Sequence, residues 1–451
     1  MARLLAQLNH TIVALATPAG RAGVSIIRLS GASSLDMAQK IAPNFKREAQ
    51  KIMLVDCYDS DSHLIDKALL VYFKGPNSLT GEDVVEFQCH GSPVIVEAII
   101  QACLKQGARL AGPGEFLQRA FVNQKYDLTE VEAVAALINA KTRQAARASL
   151  QVASGRLGFF VKSSHDKLME IRVLLESTLD FSEEEVGDFL LEKALHLLED
   201  LICSVRNVVQ TSSGVIKLHT GLDVCFIGPP NAGKSSLLNH LAQDDIAIVH
   251  EIAGTTRDTL KAEITVAGIP ITLIDTAGLR KTTCAVEQAG IEKGRKQAGY
   301  SSVVIYLIPY GEEIDPDHLV FLRSLNVIKI LLVNKIDLFN IQPYSRNHLD
   351  FDVEVGVSVL KRSGIDQLIA FFEKTFIGEW SEETPFVANI RQLNVIKDFL
   401  DLLEESRDTI LRAEIAADLL AEANKVIGTL TGEHTTEELL GQIFSTFCIG
   451  K

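Results

Sequence analysis

The sequence predicts a multidomain chain: an α+β N-terminal part, an all-α helical part in two pieces, and an α/β part inserted between those pieces. Three observations predict it. Residues 1–120 alternate short Val-, Ile- and Phe-rich runs with helix-like stretches. Residues 121–217, and again 379–451, carry apolar residues at helical spacing with few breakers. Between them, over 218–378, strand-like runs alternate with helix-like ones, the pattern of a parallel sheet covered on both faces. A length of 451 residues fits two to four domains at roughly 150 residues each. With 47% hydrophobic and 23% charged residues, the chain can bury cores and is no disordered polymer.

In order, Thr11–Leu15, Val24–Leu29, Ala68–Phe73 and Asp83–His90 read as strands. Val94–Gln106 reads as a helix entered through Pro93 and left near Gly107. Val131, Val134, Ala135 and Ile138, then Leu190, Ala194, Leu197, Leu198 and Leu201, mark long helices. Asp223–Gly228, Ile271–Asp275, Val303–Ile308 and Lys329–Asn334 read as strands of the α/β part. Leu393, Ile396, Phe399, Leu400 and Leu403 return the helical period.

Charge and cysteines bound the function classes. Lys plus Arg number 44 against 58 Asp plus Glu, a net −14, which excludes a uniformly basic nucleic-acid coat. It leaves room for a local basic face. Residues 118–172 hold nine Lys/Arg against five acids, whereas 173–200 hold one Lys against nine, so the first stretch is the candidate for a phosphate backbone. Seven scattered Cys without a Cys-x-x-Cys pair fit a reducing compartment rather than a disulfide scaffold. No apolar run reaches about 18 residues, so no membrane span is expected. The expected location is cytoplasmic, because the N-terminus lacks a signal-peptide or transit pattern.

Gly228-Pro-Pro-Asn-Ala-Gly-Lys-Ser235 matches G-x-x-x-x-G-K-[ST] between a strand and a helix. Its backbone N–H groups, from Asn231, Ala232 and Gly233 to Ser236, offer positive ends to a polyphosphate. Lys234 would reach the β- and γ-phosphates and Ser235 would meet Mg²⁺. Asp275-Thr-Ala-Gly278 follows the next strand and reads as a γ-phosphate sensor. Asn334-Lys335-Ile-Asp337 ends a later strand, where the Asp337 carboxylate can accept from guanine N1–H and N2–H₂ and reject adenine. These motifs resemble the translation-factor-related class of P-loop GTPases, with Ser358 at a further guanine contact and Thr255 and Thr256 in the loop that closes over Mg²⁺. Leu279 stands where Ras-like switches carry a water-orienting Gln, so another polar group and another positive charge are required. Asn231 could ligate a monovalent cation that supplies the charge. Glu287 is a candidate water-orienting carboxylate, or a solvated loop acid.

Beyond these motifs, the whole chain resembles the MnmE (TrmE) family of tRNA-modifying GTPases. The resemblance rests on Thr11-Ile-Val-Ala-Leu-Ala-Thr-Pro18, Gly75-Pro-Asn-Ser-Leu-Thr-Gly-Glu-Asp-Val84, Pro113-Gly-Glu-Phe116, Arg119-Ala-Phe121 and the tail Phe447-Cys-Ile-Gly-Lys451. It implies a folate-binding, dimerising domain over 1–120. It also implies a helical domain over 121–217 and 379–451, with a G domain inserted at 218–378. It implies a homodimer that acts with the FAD-containing MnmG, in a heterotetramer, on the wobble uridine of certain tRNAs. Its G domains would pair in the GTP state, helped by K⁺. By resemblance, Asn231 and the carbonyls of His250, Ile252 and Thr255 hold K⁺, and Ser235 and Thr256 meet Mg²⁺. Glu287 orients the water, and Cys448 is needed for modification. Arg28, Glu86, Lys125 and Lys451 bind 5-formyltetrahydrofolate or a related tetrahydrofolate. Without the resemblance, Arg28 could be a surface charge and Lys125 could cap a helix. In Gly91-Ser-Pro93 a serine replaces the family's usual glycine, which fits unless that position needs positive φ. A ribosome-assembly GTPase is a second reading for the α/β part, against which the Gly-Glu-Asp stretch and the tail both argue.

Overall fold

The computed structural model describes residues 10–180, 185–243, 261–274, 298–377, 387, 389–433, 435–447 and 449–450. They form two compact units. The first comprises Met1–Ala135, Gly158–Val173 and Ala417–Lys451, and the second Ala136–Leu157 and Leu174–Ala416.

The first unit is built on a six-stranded sheet. Its strands are β1 (Ile12–Leu15), β2 (Ala22–Ser30), β3 (Met53–Tyr58), β4 (Leu64–Phe73), β5 (Val84–Gly91) and β6 (Arg109–Leu110), in the order β3-β4-β5-β2-β1-β6. Neighbours are antiparallel except β1 and β6. Strand alternation sorts the faces. Val13, Ile27, Leu29, Leu70 and Phe87 pack into one core with residues of α1 (Ser34–Ile41) and α2 (Pro93–Lys105). Arg28 and Glu86, whose neighbours along their strands point into that core, lie on the other face.

Helix α2 starts at Pro93, whose missing N–H costs nothing at a first helical position. Ser92 before it is extended, at φ −96° and ψ 129°, so the serine in place of glycine carries no strain. A smaller core joins α3 (Glu115–Val122), α4 (Leu128–Asn139) and α13 (Glu437–Ser445) through Leu117, Leu128, Val131, Leu440 and Phe444. The two ends of the chain therefore meet in one unit. Within α6 (Arg156–Asp180), His165 Nδ1 lies 2.7 Å from Asn424 Oδ1 of α12 (Ala413–Gly428).

The second unit holds a seven-stranded sheet, ordered β12-β13-β11-β10-β7-β9-β8. The strands are β7 (Leu222–Ile227), β8 (Lys261–Val266), β9 (Ile269–Ile274), β10 (Val303–Pro309), β11 (Ile328–Asn334), β12 (Tyr344–Arg346) and β13 (Val353–Gly356). All seven residues of β10 are buried, as a central parallel strand covered on both faces requires. Phe226, Ile305, Leu307 and Leu332 face one core with Leu237 of α8 (Lys234–Gln243) and with Leu368 and Phe372 of α10 (Ile365–Phe372). Cys225, Val304, Tyr306 and Leu331 face the other with Leu322 of α9 (Pro316–Ser324).

Long helix α7 (Glu185–Thr220) runs directly into β7, and α11 (Ile390–Asp408) packs along it, with Arg206 Nη2 donating to Glu404 Oε1 at 2.7 Å. Helix α5 (Arg143–Ala153) joins this unit: Ala145 lies in the core with Leu218 and Val266, and Gln144 lies over Gly268 at the β8–β9 turn. Among the described residues no helix is long and apolar enough to cross a membrane.

Candidate functional site

β7 lies between β10 and β9, where the connections leave in opposite directions, and the Gly228–Ser235 loop follows its carboxyl end. That is where open α/β sheets place ligands. Two glycines shape the loop. At Gly228, φ is +146° and a Cβ would drive into the Leu307 carbonyl. At Gly233, φ is +105° and a Cβ would strike Asn334 Nδ2. Asn231 takes φ +61° in the left-handed region, which Asn tolerates better than most residues, and is exposed with Ser235 and Ser236. Ala232 is buried. Lys234 Nζ donates to the carbonyls of Gly228 (2.6 Å) and Pro229 (2.8 Å), so its ammonium folds back over the loop. Pro229 is half-buried.

Asn334 ties this loop to the base-recognition end. Its Nδ2 donates to Ala232 O at 2.8 Å, and its Oδ1 accepts from Lys335 N at 2.8 Å and from Val359 N at 3.1 Å. It is 4% exposed, and its bonds to residues 232 and 359 are made away from water. Ser358 is fully buried; its N–H donates to Ser363 O at 2.9 Å and its Oγ accepts from Lys361 N. Lys335, at φ +63°, precedes a 3-10 turn (Ile336–Phe339) that carries Asp337 half-exposed. A polyphosphate would fit the donors of the first loop. A guanine would fit the Asp337 carboxylate. The oxygen donors of Asn231 and Ser235 suit hard cations such as K⁺ and Mg²⁺. His250, Ile252, Thr255, Thr256, Asp275, Gly278 and Glu287 lie outside the described residues.

The first unit holds a second constellation. Arg28 and Glu86 are direct cross-strand partners, and Arg28 Nε donates to Glu86 Oε1 at 2.8 Å. Arg28 also stands 5.6 Å over the Phe116 ring and reaches the Gly450 carbonyl at 3.4 Å. Ile449 bridges to Pro113, so the tail runs past this pair. Lys125 is exposed, and no described contact joins it to Arg28 or Glu86. Its backbone N–H donates to Ala120 O at 2.8 Å, which closes the end of α3. Cys448 and Lys451 lie outside the described residues. The Arg and Glu offer the charge and the acceptor that a folate's glutamate tail and pterin need, although each is engaged by the other.

Beside them lies a charge network that the family stretches contribute. Arg119 is fully buried and donates to Glu82 Oε2 (2.9 Å), Glu115 Oε1 (3.1 Å) and His10 O (2.7 Å). Ser30 Oγ donates to Glu82 Oε2 at 2.7 Å. Burial pushes the Glu115 carboxyl up, but Arg109, the Gly112 N–H and Arg119 outweigh it and hold it below the ordinary carboxylate value. In the sequence, Glu82, Glu115 and Arg119 stand out only as parts of the family stretches. The four-residue spacing of Glu115 and Arg119 on a helix was the signal for a structural ion pair.

Residues 11–125 match the family model for the GTP-binding protein TrmE N-terminus, and residues 128–448 match that for the MnmE helical domain. The tRNA modification GTPase MnmE of Chromobacterium violaceum is 39% identical over 444 residues, covering 98% of each chain. That of Laribacter hongkongensis is 40% identical over 449 residues, covering 98% of this chain and 99% of its own. The chain belongs to the MnmE family of tRNA modification GTPases. The MnmE of Aquifex aeolicus is 35% identical over 457 residues, covering 98% and 100%. These alignments run along nearly the whole length of each chain. Among solved structures, the chain is similar to an Aquifex aeolicus Era bound to GDP.AlF4- (21% identity, 40% of this chain and 66% of that one, TM-score 0.26).

Proposed function

We propose that this chain is a K⁺-stimulated GTPase that acts with MnmG on tRNA. It adds aminomethyl or carboxymethylaminomethyl groups at C5 of the wobble uridine, drawing a one-carbon unit from a tetrahydrofolate. The observation that carries this reading is the match to tRNA modification GTPases along 98% of the chain. The P-loop geometry supports it from below, since both glycine positions exclude a side chain and Asn334 braces the loop.

In this reading the backbone N–H groups of 231–236 bind the polyphosphate, Lys234 takes the β/γ oxygens, and Ser235 and Thr256 hold Mg²⁺. Asp337 selects guanine, with Ser358 and Lys335 shaping its pocket. Asn231, with the carbonyls of His250, Ile252 and Thr255, holds K⁺, whose charge offsets that developing on the phosphates. Glu287 orients the attacking water, a task that Leu279 cannot perform. Residues 1–120 form the folate-binding and dimerising domain. Residues 121–217 and 379–451 form the helical domain, and 218–378 the inserted G domain. Arg28, Glu86, Lys125 and Lys451 bind the folate, and Cys448 serves the modification step. The G domains of a cytoplasmic homodimer pair in the GTP state.

The test is GTP hydrolysis in K⁺ against Na⁺, for the native chain and for Asn231→Ala. K⁺ should accelerate the native chain, and Asn231→Ala should lose that acceleration while still binding GTP. Equal rates in the two salts for the native chain would refute the cation role.

A further inference from the structure

Helix α5 carries Arg143, Arg147 and Leu150 on one exposed side, opposite the buried Ala145, Ala148, Ser149 and Val152. The helix contains no acidic residue, and Lys141 and Arg156 flank it, in a chain of net charge −14. Arg143 is its first residue, after the N-cap Thr142, whose side chain accepts from Ala145 N. A cation there opposes the helix dipole, which favours acids in the first turn. Nothing nearby compensates: among the described residues neither Arg143 nor Arg147 is ion-paired. Elsewhere in the same unit, exposed Arg206, Arg323 and Arg346 each hold a carboxylate. Two arginines one turn apart, both unneutralised and the first placed against local helix preference, form a surface suited to a polyanion with repeating charges.

We propose that the Arg143–Arg147 face of α5 binds the phosphate backbone of the tRNA substrate. The proposal rests on the tRNA reading above and gives it a contact surface. Phosphate contacts position a nucleic acid without reading its bases, so this face would orient tRNA rather than select it. α5 packs into the core of the unit that carries the P-loop, and Gln144 covers the β8–β9 turn, so the surface is rigidly mounted.

The experiment compares the full-length native chain with Arg143→Glu/Arg147→Glu. It measures affinity for unmodified tRNA from 50 to about 200 mM salt, thermal stability, and GTP hydrolysis without tRNA. Affinity should fall by roughly tenfold or more, and the slope of log affinity against log salt should shrink by about 0.7–0.9 for each lost contact. Stability should stay level or rise, because a Glu at the first helical position suits the dipole. Hydrolysis should not change. A merely structural role would instead lower stability. Arg143→Gln/Arg147→Gln guards against simple repulsion and should also weaken binding and shrink the slope. If the native chain binds tRNA and the Gln variant binds it with unchanged affinity and slope, the α5 surface is overturned while the tRNA reading stands. If the native chain shows no salt-dependent tRNA binding, alone or with MnmG, that reading is overturned and the surface with it.

Discussion

Replacing Asn334 by Ala tests whether this side chain is a strut rather than a contact to the base. The substitution strips partners from three backbone groups: the Ala232 carbonyl and the N–H groups of Lys335 and Val359. All three bonds end on a side chain that is 4% exposed. A lost intramolecular hydrogen bond costs about 1 kcal/mol where water refills the site and about 1–3 kcal/mol where the group stays dry. Three give at least about 3 kcal/mol, removed from the assembly of the P-loop with the 358–359 loop. Because a bound nucleotide needs both loops in place, guanine-nucleotide affinity should fall by about two orders of magnitude. Fluorescent GDP titration measures it, with inosine and xanthine nucleotides as competitors. The ratio between bases should not change, since Asp337 is untouched. GDP affinity within about threefold of the native value, or an altered base ratio, would refute the strut.

Asp337→Asn should move preference from guanine toward xanthine nucleotides, read by the same competition, because the amide presents a donor to the xanthine O2. Arg119→Met takes the cation from half-buried Glu82 and one of two from buried Glu115, which keeps Arg109, and should cost about 3–5 kcal/mol. The melting temperature of the first unit should then drop by about 10 °C, with nucleotide affinity unchanged. Adding Glu82→Gln should recover part of the loss. Burial lowers the pKa of His219, whose Nε2 is buried without a partner. The unfolded chain therefore takes up a proton that the folded one resists. Urea unfolding of the second unit should be level above the ordinary imidazole pKa and weaken as pH falls below it, down to the lowered folded value. His219→Leu should flatten that dependence.

Much of this was legible in the chain itself. β10 reads as a continuous apolar run because both its faces are covered, and Pro93 marks the start of α2 because proline suits a first turn. The P-loop was visible because its chemistry fixes glycine, lysine and serine at set spacing. β3 is hidden in the sequence: Leu54 is 62% exposed, so apolar and buried positions do not coincide there. α1, of eight residues, is held by packing under the sheet rather than by a long periodic pattern. β12 and β13 are three and four residues long, too short to carry a readable alternation. At the site, Asp337 followed from base chemistry, but the three bonds of Asn334 required knowing that residues 232 and 359 come together. Arg28 and Glu86 were named through family resemblance. Their pairing needed the register of β2 against β5, and the tail's approach needed the full fold.

Mass spectrometry of the wobble uridine is the most direct measurement. It compares tRNA from cells lacking this chain with tRNA from the same cells carrying the native chain. The C5 aminomethyl and carboxymethylaminomethyl groups should be missing from the first and restored in the second. Identical wobble-uridine modification in both would contradict the assignment.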